Sequence, residues 1–329
     1  MITSVKIERL RGIKEGELNN LTPLTVLVGG NGSGKSTVLE ALQIGAASTP
    51  QIQVWYSVYR RKGVDKGFQW LFWGYNENGE ISISIETNKN AQRDIVISCK
   101  DRSLKRKENS PDKAHWVKLD IPIIKPDLAR HHRDESTILP GVEWISILEP
   151  YPGTFPNLAE LWSSLKQQGK HQLTNDIIRE IIPDFDTLDA LYSNGDFVLH
   201  NSFRTQGKGS VPVAFSGDGI HALVRFCLEL GLSQGGTVLI EEPEVHQHYR
   251  TMHLTAKVIW AAIKRDIQVI LTTHSLEFID ALLEACPDDA DVNALSIVRT
   301  NLVEGSLLTR RYSGEETLLA RREIQDDLR

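Results

Sequence analysis

Strand patterns that alternate with helix patterns predict an α/β fold with a largely parallel sheet. The continuously apolar run 24–28 is typical of a strand buried on both faces, and a helix pattern follows it at 36–47. The same succession returns later, where strand patterns at 237–240 and 268–272 flank a helix pattern at about 250–264. The sequence therefore predicts a parallel sheet as the core of the chain.

The N-terminal half also carries an antiparallel pattern. Between residues 68 and 99, isoleucines alternate with polar residues, and a turn signal at 76–79 precedes them. We therefore expect an inserted antiparallel β-subdomain at about 52–120, beside the parallel sheet. The charged stretch 101–108 lies inside it and leads into 109–112, where an exposed loop is expected.

Helices dominate the segment before the second group of strands. Apolar residues recur at helical spacing in 158–165 and 173–181, and a polar loop is expected at 201–209. A helical lobe is therefore predicted at about 155–235. Because the two inserted regions interrupt one core, the chain is predicted to form a single domain, 1–329.

The C-terminal end repeats the theme of strand followed by helix. Strand patterns at 294–299 and 306–310 precede Ser313-Gly314-Glu315-Glu316. A serine followed three residues later by glutamate is the pattern of a capping box, so a helix is expected to begin there.

Composition excludes several classes of function. With 40% hydrophobic and 24% charged residues, the 329-residue chain is expected to fold as a globular protein. The net charge of −6 argues against coating nucleic acid by bulk positive charge, although a local basic patch remains compatible with it. Cys99, Cys227 and Cys286 form neither a CxxC pair nor an even set, which favours a reducing cytoplasm. No apolar run reaches 18 residues and no signal peptide is recognised, so no membrane association is expected.

The segment Gly29–Ser36 fits the pattern G-x-x-x-x-G-K-[ST] at every fixed position. Glycines let backbone N–H groups converge on phosphate oxygens, and the following helix N-terminus adds its positive dipole end. Lys35 is expected to reach the β- and γ-phosphates, and the Ser36 hydroxyl to bind Mg²⁺. A fortuitous glycine-rich turn is the alternative, but the flanking strand and helix favour a phosphate loop. The predicted nucleotide-binding residues are Gly29, Gly30, Asn31, Gly32, Ser33, Gly34, Lys35, Ser36 and Thr37.

Two carboxylates end the strand pattern at 237–240. In an α/β sheet, ligands bind outside the carboxyl ends of the strands, where the phosphate loop also lies. Glu241 is predicted to hold Mg²⁺ through its water shell, and Glu242 to orient the attacking water. The alternative is a solvated acidic loop, which the nearby phosphate loop disfavours.

A histidine and a serine-glycine turn complete the set of candidates. His274 follows the strand at 268–272 and is a predicted donor to the γ-phosphate, although a lone histidine is more often structural. In the later turn, either Ser216 simply caps a helix, or Ser216 and Gly217 donate to the γ-phosphate of a nucleotide held by a second subunit. The candidate residues of this turn are Ser216, Gly217, Asp218 and Gly219.

The order of these motifs resembles that of the ATP-binding-cassette (ABC) ATPases. More narrowly, it is similar to the soluble branch of RecF-like proteins, SMC heads and the overcoming-lysogenization-defect (OLD) nucleases. The segments 5–13 and 241–248 resemble the OLD-type head, and the resemblance covers about residues 1–312. It implies a P-loop NTPase fold of the ABC-ATPase type, ATP hydrolysis, and ATP and Mg²⁺ as cofactors.

The resemblance also implies an assembly. Two ATP molecules would be sandwiched in a head-to-head homodimer, or in a higher even oligomer, between one subunit's phosphate loop and the Ser216-Gly217 pair of another. In that arrangement, Glu242 would be the hydrolytic carboxylate and His274 the switch histidine, with His246 near the dimer seam.

The chain departs from the family pattern in several places. The turn contains Ser-Gly-Asp-Gly where transporters have Ser-Gly-Gly-Gln, and Glu241 stands where aspartate is usual. Gln51, Gln53 and Gln69 are poor candidates for the family's switch glutamine. No heptad run supplies the long arms of SMC proteins.

The resemblance leaves two functions open. OLD nucleases continue into a Toprim domain that this chain lacks, so we expect an ATPase head that regulates a separate effector protein, such as a nuclease in antiphage defence. The alternative is a RecF-like clamp that binds DNA during repair, for which the basic groups at 60–62, 102–107 and 130–133 are candidate contacts. A transporter motor fits the motifs less well.

Overall fold

A computed structural model describes most of the chain. The described residues are 1–59, 67–76, 78–109, 116–121, 138–142, 145–148, 157–182, 184–193, 195–205, 209–232, 235–245, 247–324 and 326–328. Within them no helix is long and apolar enough to cross a bilayer.

The described residues form fifteen strands and eight α-helices. The strands are β1 (Ile2–Leu10), β2 (Ile13–Leu18), β3 (Leu24–Val28), β4 (Glu80–Thr87), β5 (Gln92–Ser98), β6 (Ser103–Asn109), β7 (Trp116–Asp120), β8 (Ile145–Leu148), β9 (Phe185–Ser193), β10 (Asp196–Phe203), β11 (Ser210–Pro212), β12 (Thr237–Glu241), β13 (Gln268–Thr272), β14 (Leu295–Val303) and β15 (Ser306–Ser313). The helices are α1 (Lys35–Ala46), α2 (Pro50–Tyr59), α3 (Leu158–Gln167), α4 (Gln172–Ile181), α5 (Asp218–Leu232), α6 (Tyr249–Ile263), α7 (Leu276–Glu284) and α8 (Gly314–Leu319).

Twelve of the strands form one mixed sheet in the order β7-β6-β5-β4-β1-β2-β15-β14-β3-β13-β12-β8. Neighbouring strands from β14 to β8 are all parallel, and those from β7 to β2 are all antiparallel. The predicted α/β fold, with a mixed sheet, a parallel core and an antiparallel region, is therefore confirmed. Strands β4–β7, from the predicted insertion, continue the main sheet because β4 pairs with β1.

The parallel core is covered on both faces, because successive side chains of a strand point to opposite sides. Every residue of β3 and β13 is buried. Along β3, Leu27 joins the apolar cluster beneath α1 and α2, whereas Val26 and Val28 join the cluster beneath α5, α6 and α7. A continuously apolar strand is thus explained by burial on both faces, as the sequence predicted.

The predicted helical lobe contains a second sheet as well as helices. Strands β11, β10 and β9 pair antiparallel and pack against α3, α4 and α5 around Trp162 and Phe185. The prediction of a polar loop beginning at Asn201 was wrong for residues 201–203, which belong to β10. Asn201 is fully buried in that strand, and its side-chain amide bonds to the Ser216 hydroxyl. A buried polar residue whose side chain has a hydrogen-bond partner therefore concealed the strand.

The C-terminal capping box is present as predicted. The Ser313 hydroxyl accepts a hydrogen bond from the Glu316 backbone, and the Glu316 carboxylate accepts one from the Ser313 backbone. Helix α8 begins at the next residue, Gly314. Both bonds satisfy N–H groups that a helix start otherwise leaves unpaired.

Helix α1, which follows the phosphate loop, is held close to the sheet at one glycine. A Cβ atom added to Gly45 would lie 2.5 Å from Ile85 Cγ1 and 3.0 Å from Ile83 Cγ2, both on β4. Such distances are shorter than van der Waals contact, so only glycine allows this approach of helix to strand. The antiparallel half of the sheet thereby supports the helix that carries the phosphate loop.

We expect Gly45→Ala to destabilise the fold by about 1 to 3 kcal/mol, because the added methyl group overpacks the contact between α1 and β4. Urea unfolding of the purified protein measures this difference. Ile85→Ala alone should cost roughly 2 to 5 kcal/mol through a cavity. The double variant should lose less than the sum of the two, because each change relieves the other; strict additivity would contradict the contact.

Candidate functional site

The phosphate loop connects β3 to α1, and two of its glycines stand where a side chain would clash or be strained. A Cβ on Gly29 would lie 2.4 Å from the Thr300 carbonyl oxygen, since β14 runs alongside. Gly34 precedes α1 with φ of +94°, a left-handed conformation that glycine adopts without strain. No side chain caps this helix start and its first turn holds no acidic residue. The free N–H groups are therefore available to an anion.

Lys35 lies folded over the loop it follows. Its Nζ donates to the carbonyl oxygens of Gly29 at 2.9 Å and Gly30 at 3.1 Å, and the residue is only 6% exposed. Burial lowers the pKa of Lys35, and the carboxylates of Glu242, Glu244 and Glu241 raise it by less. The Lys35 ammonium group therefore lies against the phosphate loop, and three carboxylates attract its positive charge.

Thr300 on β14 holds the phosphate loop through hydrogen bonds of its hydroxyl group. Its hydroxyl lies 2.9 Å from the Ser33 hydroxyl, and it donates to the Val28 carbonyl oxygen at 3.2 Å. No sequence signal pointed to Thr300, because a threonine within a strand is ordinary and its partners lie more than 260 positions away.

The end of β12 places Glu241 and Glu242 differently. Glu241 is still in the strand, in register with Thr272 of β13. Glu242 follows with φ of +45°, and its N–H donates to the carbonyl and hydroxyl oxygens of Thr272 at 3.1 and 3.2 Å. A positive φ is uncommon for a residue other than glycine, and such conformations cluster at functional sites. The bend turns the chain at the carboxyl end of the sheet.

The side chains of Glu242 and His274 meet across the ends of β12 and β13. Glu242 Oε1 lies 3.2 Å from His274 Nε2, and each side chain is about one-third exposed, at 35% and 33%. The sequence predicted both residues from separate strand ends, and the structure brings them together.

A cavity of about 720 Å³ unites most of these groups. Both Glu242 and His274 line it, together with the loop residues from Asn31 to Thr37. Arg11 and three aromatic residues that the sequence analysis did not single out also line it. These three are Trp70, Trp73 and Tyr75.

Comparisons with known proteins point to ATPase domains. Residues 1–110 match the family described as an AAA ATPase domain. Residues 142–280 match the family described as "AAA domain, putative AbiEii toxin, Type IV TA system". An ATP/GTP phosphatase of Helicobacter pylori is 21% identical over 96% of both chains.

Two AAA domain families thus match separate parts of the chain. The chain is an ATP hydrolase. Its fold is similar to an SMC head bound to the C-terminal winged-helix domain of ScpA, with a TM-score of 0.64 and 13% identity over 96% of this chain and 99% of that one. An SMC head with an extended coiled coil, bound to the C-terminal domain of ScpA from Pyrococcus furiosus, gives 0.61 and 13% over 99% of both chains. Both likenesses concern the fold.

The signature turn (Ser216–Gly219) of the ATPase lies outside this cavity, where α5 begins in the helical lobe. Asn201 Nδ2 donates to the Ser216 hydroxyl oxygen at 2.5 Å, and Gly217 has φ of +88°. The helix begins only at Asp218, two residues after the serine. His246 lies outside the described residues.

The donors expected for Mg²⁺ are oxygen atoms. Ser36 lines the cavity, whereas Glu241 is not among the lining residues. Mg²⁺ usually keeps several waters and takes one or two protein oxygens besides substrate phosphates. A hydroxyl and a carboxylate fit that chemistry, so both residues stay candidate ligands. Among the described residues, no group of three or more His, Cys, Asp and Glu could hold a metal ion.

Glu244 is a further residue to which the sequence assigned no role. Its Oε1 accepts hydrogen bonds from the Thr273 hydroxyl at 2.6 Å and from the His274 N–H at 3.0 Å. Its Oε2 is buried, and the described residues supply no hydrogen-bond partner for it. Burial raises the pKa of Glu244, and these two hydrogen bonds offset part of that rise. Glu244 therefore fixes the backbone of His274, while Glu242 holds its ring.

The raised pKa of Glu244 makes stability depend on pH. A carboxyl with a folded pKa above its unfolded value stabilises the protein at low pH, and this contribution is lost as pH rises through the folded pKa. Glu244→Gln keeps the acceptor oxygen without the charge. The Tm of Glu244→Gln should therefore increase relative to the Tm of the wild type as pH rises from the ordinary glutamate pKa of 4.5 toward neutrality.

Differential scanning fluorimetry measures the Tm of the two proteins over this pH range, and for a chain of this size 1 kcal/mol corresponds to about 1.5 °C. Glu304→Gln is the matched control, since Glu304 is exposed on a turn. A Tm difference for Glu244→Gln that stays constant with pH would contradict the buried carboxylate.

Proposed function

We propose that the ATPase binds and hydrolyses ATP as a head-to-head homodimer, and that this cycle regulates a separate effector protein. The observation that carries the proposal is one cavity lined by the phosphate loop, Glu242 and His274, with the signature turn placed elsewhere on the same chain. A site with its signature turn outside its own cavity is completed by a second subunit.

Each side chain then has a role that its position supports. Lys35 would exchange the carbonyl oxygens of Gly29 and Gly30 for phosphate oxygens. Glu242 would orient the attacking water, and His274 would donate to the γ-phosphate, with Glu244 holding its backbone. Mg²⁺, held by Ser36 and Glu241, would supply neutralisation of phosphate charge.

The serine of the signature turn is suited to a phosphate of the other subunit. Because the Ser216 oxygen accepts a hydrogen bond from Asn201, its own O–H proton is left to donate elsewhere. A hydroxyl whose proton is free to donate can bind a phosphate oxygen. Asn201 would thus position Ser216 for a nucleotide across the dimer.

The effector is proposed by analogy with the proteins that the chain resembles. In the solved SMC head structures the head is bound to a domain of ScpA, a separate protein. The match to an AAA domain of a toxin system supports a role in defence, for which we propose a nuclease as the effector. We propose the cytoplasm as the site of action.

The dimer is tested by Glu242→Gln. Without the carboxylate, the variant should bind ATP but hydrolyse it about 100-fold or more slowly, and it should accumulate as a dimer in size-exclusion chromatography with light scattering. Lys35→Ala should lose nucleotide binding, and Glu242→Gln with Ser216→Ala should bind ATP yet stay monomeric. A monomer of Glu242→Gln at saturating ATP would refute the sandwich.

Glu242→Gln and Lys35→Ala also test whether nucleotide binding controls the association with an effector protein. Purified from the native host with ATP, Glu242→Gln should retain a specific protein that Lys35→Ala does not. If the same proteins accompany both variants, nucleotide-gated regulation fails.

A RecF-like DNA clamp is the second candidate, and the outer face of β6 and β7 favours it. Lys105 and Lys107 share one face of β6, and the strand register places Lys118 and Trp116 of β7 opposite them. The other basic side chains of this stretch point elsewhere: Arg106 donates to the Ser48 carbonyl oxygen. The predicted basic stretch is thus divided between two faces, and lysines with an exposed tryptophan form one of them.

The remaining basic groups, 60–62 and 130–133, lie outside the described residues. The clamp hypothesis therefore depends on three lysines and one aromatic residue. Lysines bind backbone phosphates, and an aromatic ring can stack on an unpaired base.

Replacing Lys105, Lys107 and Lys118 with Gln should weaken duplex DNA binding and make it less sensitive to salt. The slope of log K against log salt should become shallower by about 0.9 for each DNA phosphate that the variant no longer neutralises. Fluorescence anisotropy with labelled duplex at several salt concentrations measures both effects. The triple variant Lys89→Gln, Lys166→Gln and Lys257→Gln removes three exposed lysines outside β6 and β7 and is the matched control for charge. If the wild type shows no DNA binding or stimulation of hydrolysis at low salt, the clamp is excluded.

A further inference from the structure

Three aromatic residues between α2 and β4 line the same cavity as the phosphate loop. Trp70 is 44% exposed and Tyr75 is 59% exposed, and their ring centroids lie 4.4 Å apart with an edge-to-face angle of 68°. Aromatic rings exposed to solvent gain free energy when a flat apolar ligand covers them. We call Trp70, Trp73 and Tyr75 the aromatic platform.

The backbone beneath the platform is held in an unusual conformation. Gly74 and Tyr75 are consecutive left-handed residues, with φ of +62° and +57°. For a bulky residue such as tyrosine this conformation carries strain, and strained residues persist where the surrounding structure fixes them. The two residues reverse the chain so that Trp73 and Tyr75 both line the cavity.

Neighbouring elements fix the platform in place. The Leu71 carbonyl oxygen accepts a hydrogen bond from the Arg11 N–H, and Phe72 forms a bridge with Leu10 at the end of β1. Trp73 packs on the turn between β14 and β15, where a Cβ on Gly305 would lie 2.5 Å from Trp73 Cη2. The platform is therefore built on the same sheet that carries the phosphate loop, which fixes its position relative to the loop.

We propose that the aromatic platform is the base-binding subsite, on which the purine ring of a nucleoside triphosphate stacks while its phosphates occupy the phosphate loop. This inference rests on the proposed binding of ATP in the same cavity. It explains why large aromatic side chains are exposed beside the glycines of a phosphate loop. Stacking acts on the face of a ring that every base possesses, so the subsite accepts both adenine and guanine.

The test separates binding of the base from binding of the phosphates. Isothermal titration calorimetry is carried out with ATP, GTP and inorganic tripolyphosphate on the full chain. In the wild type, both nucleotides should bind more tightly than tripolyphosphate. In Trp70→Ala with Tyr75→Ala, the Kd of each nucleotide should rise by roughly ten-fold or more, since stacking on an aromatic ring is removed. The Kd of tripolyphosphate should stay unchanged.

Two controls make the result specific. Tyr192→Ala with Phe197→Ala removes another exposed edge-to-face aromatic pair, on β9 and β10 outside the cavity, and should leave all three affinities unchanged. Trp70→Phe with Tyr75→Phe keeps aromatic faces and should retain nucleotide affinity. In the wild type, tryptophan fluorescence should change on addition of ATP but not of tripolyphosphate, and Trp70→Phe should reduce that change.

Each contrary outcome is distinct. If the alanine variant keeps its affinity for both nucleotides, or loses affinity for tripolyphosphate equally, the base subsite is refuted while binding of phosphates by the cavity stands. If the wild type binds neither ATP nor tripolyphosphate, the proposed function itself fails and the subsite with it.

Discussion

The register of three parallel strands is the constraint on which the site depends. Leu27 of β3 pairs with Thr272 of β13, and Thr272 pairs with Glu241 of β12. The strands therefore end within a residue or two of one another, and the phosphate loop, His274 and Glu242 all leave the sheet at one edge. A shift by one residue would turn every buried side chain of these strands to the other face. Burial on both faces therefore fixes the register, and with it the positions of Glu242 and His274.

Charge at this edge is balanced between one buried cation and a group of carboxylates. Lys35 is desolvated, which disfavours its charge, and Glu241, Glu242 and Glu244 restore part of what burial removes. The same reasoning applies in reverse to Glu244, whose burial favours the neutral acid. An incoming triphosphate would add negative charge beside these carboxylates, so the loop N–H groups and Lys35 must be available when it arrives.

The sequence predicted the parts of the site that belong to local motifs. The phosphate loop, Glu242 and His274 stand where glycine spacing and strand ends indicated, because a local pattern at the end of a strand determines its own position. Thr300 and Glu244 could not be predicted in this way, since their roles arise from hydrogen bonds between segments distant in the chain. Apolar runs likewise revealed the buried strands β3, β12 and β13, whereas β10 was concealed because its polar residues satisfy partners inside the lobe. The aromatic platform was missed for a similar reason: aromatic residues in a short segment predict a core when no partner is known, and only the folded sheet places them beside the phosphate loop.

The position of Asn201 links the lobe to the chemistry of the core. Its amide nitrogen holds Ser216, and its Oδ1 is buried without a partner among the described residues. Burying Asn201 Oδ1 without such a partner costs free energy. The same side chain orients the Ser216 hydroxyl. Within a single chain the orientation of Ser216 does not serve the cavity, because Ser216 is not among the residues that line it. Under the proposed dimer, the Ser216 hydroxyl would meet a phosphate held by another subunit. Strand β10, which the sequence concealed, would then prepare the lobe for that contact.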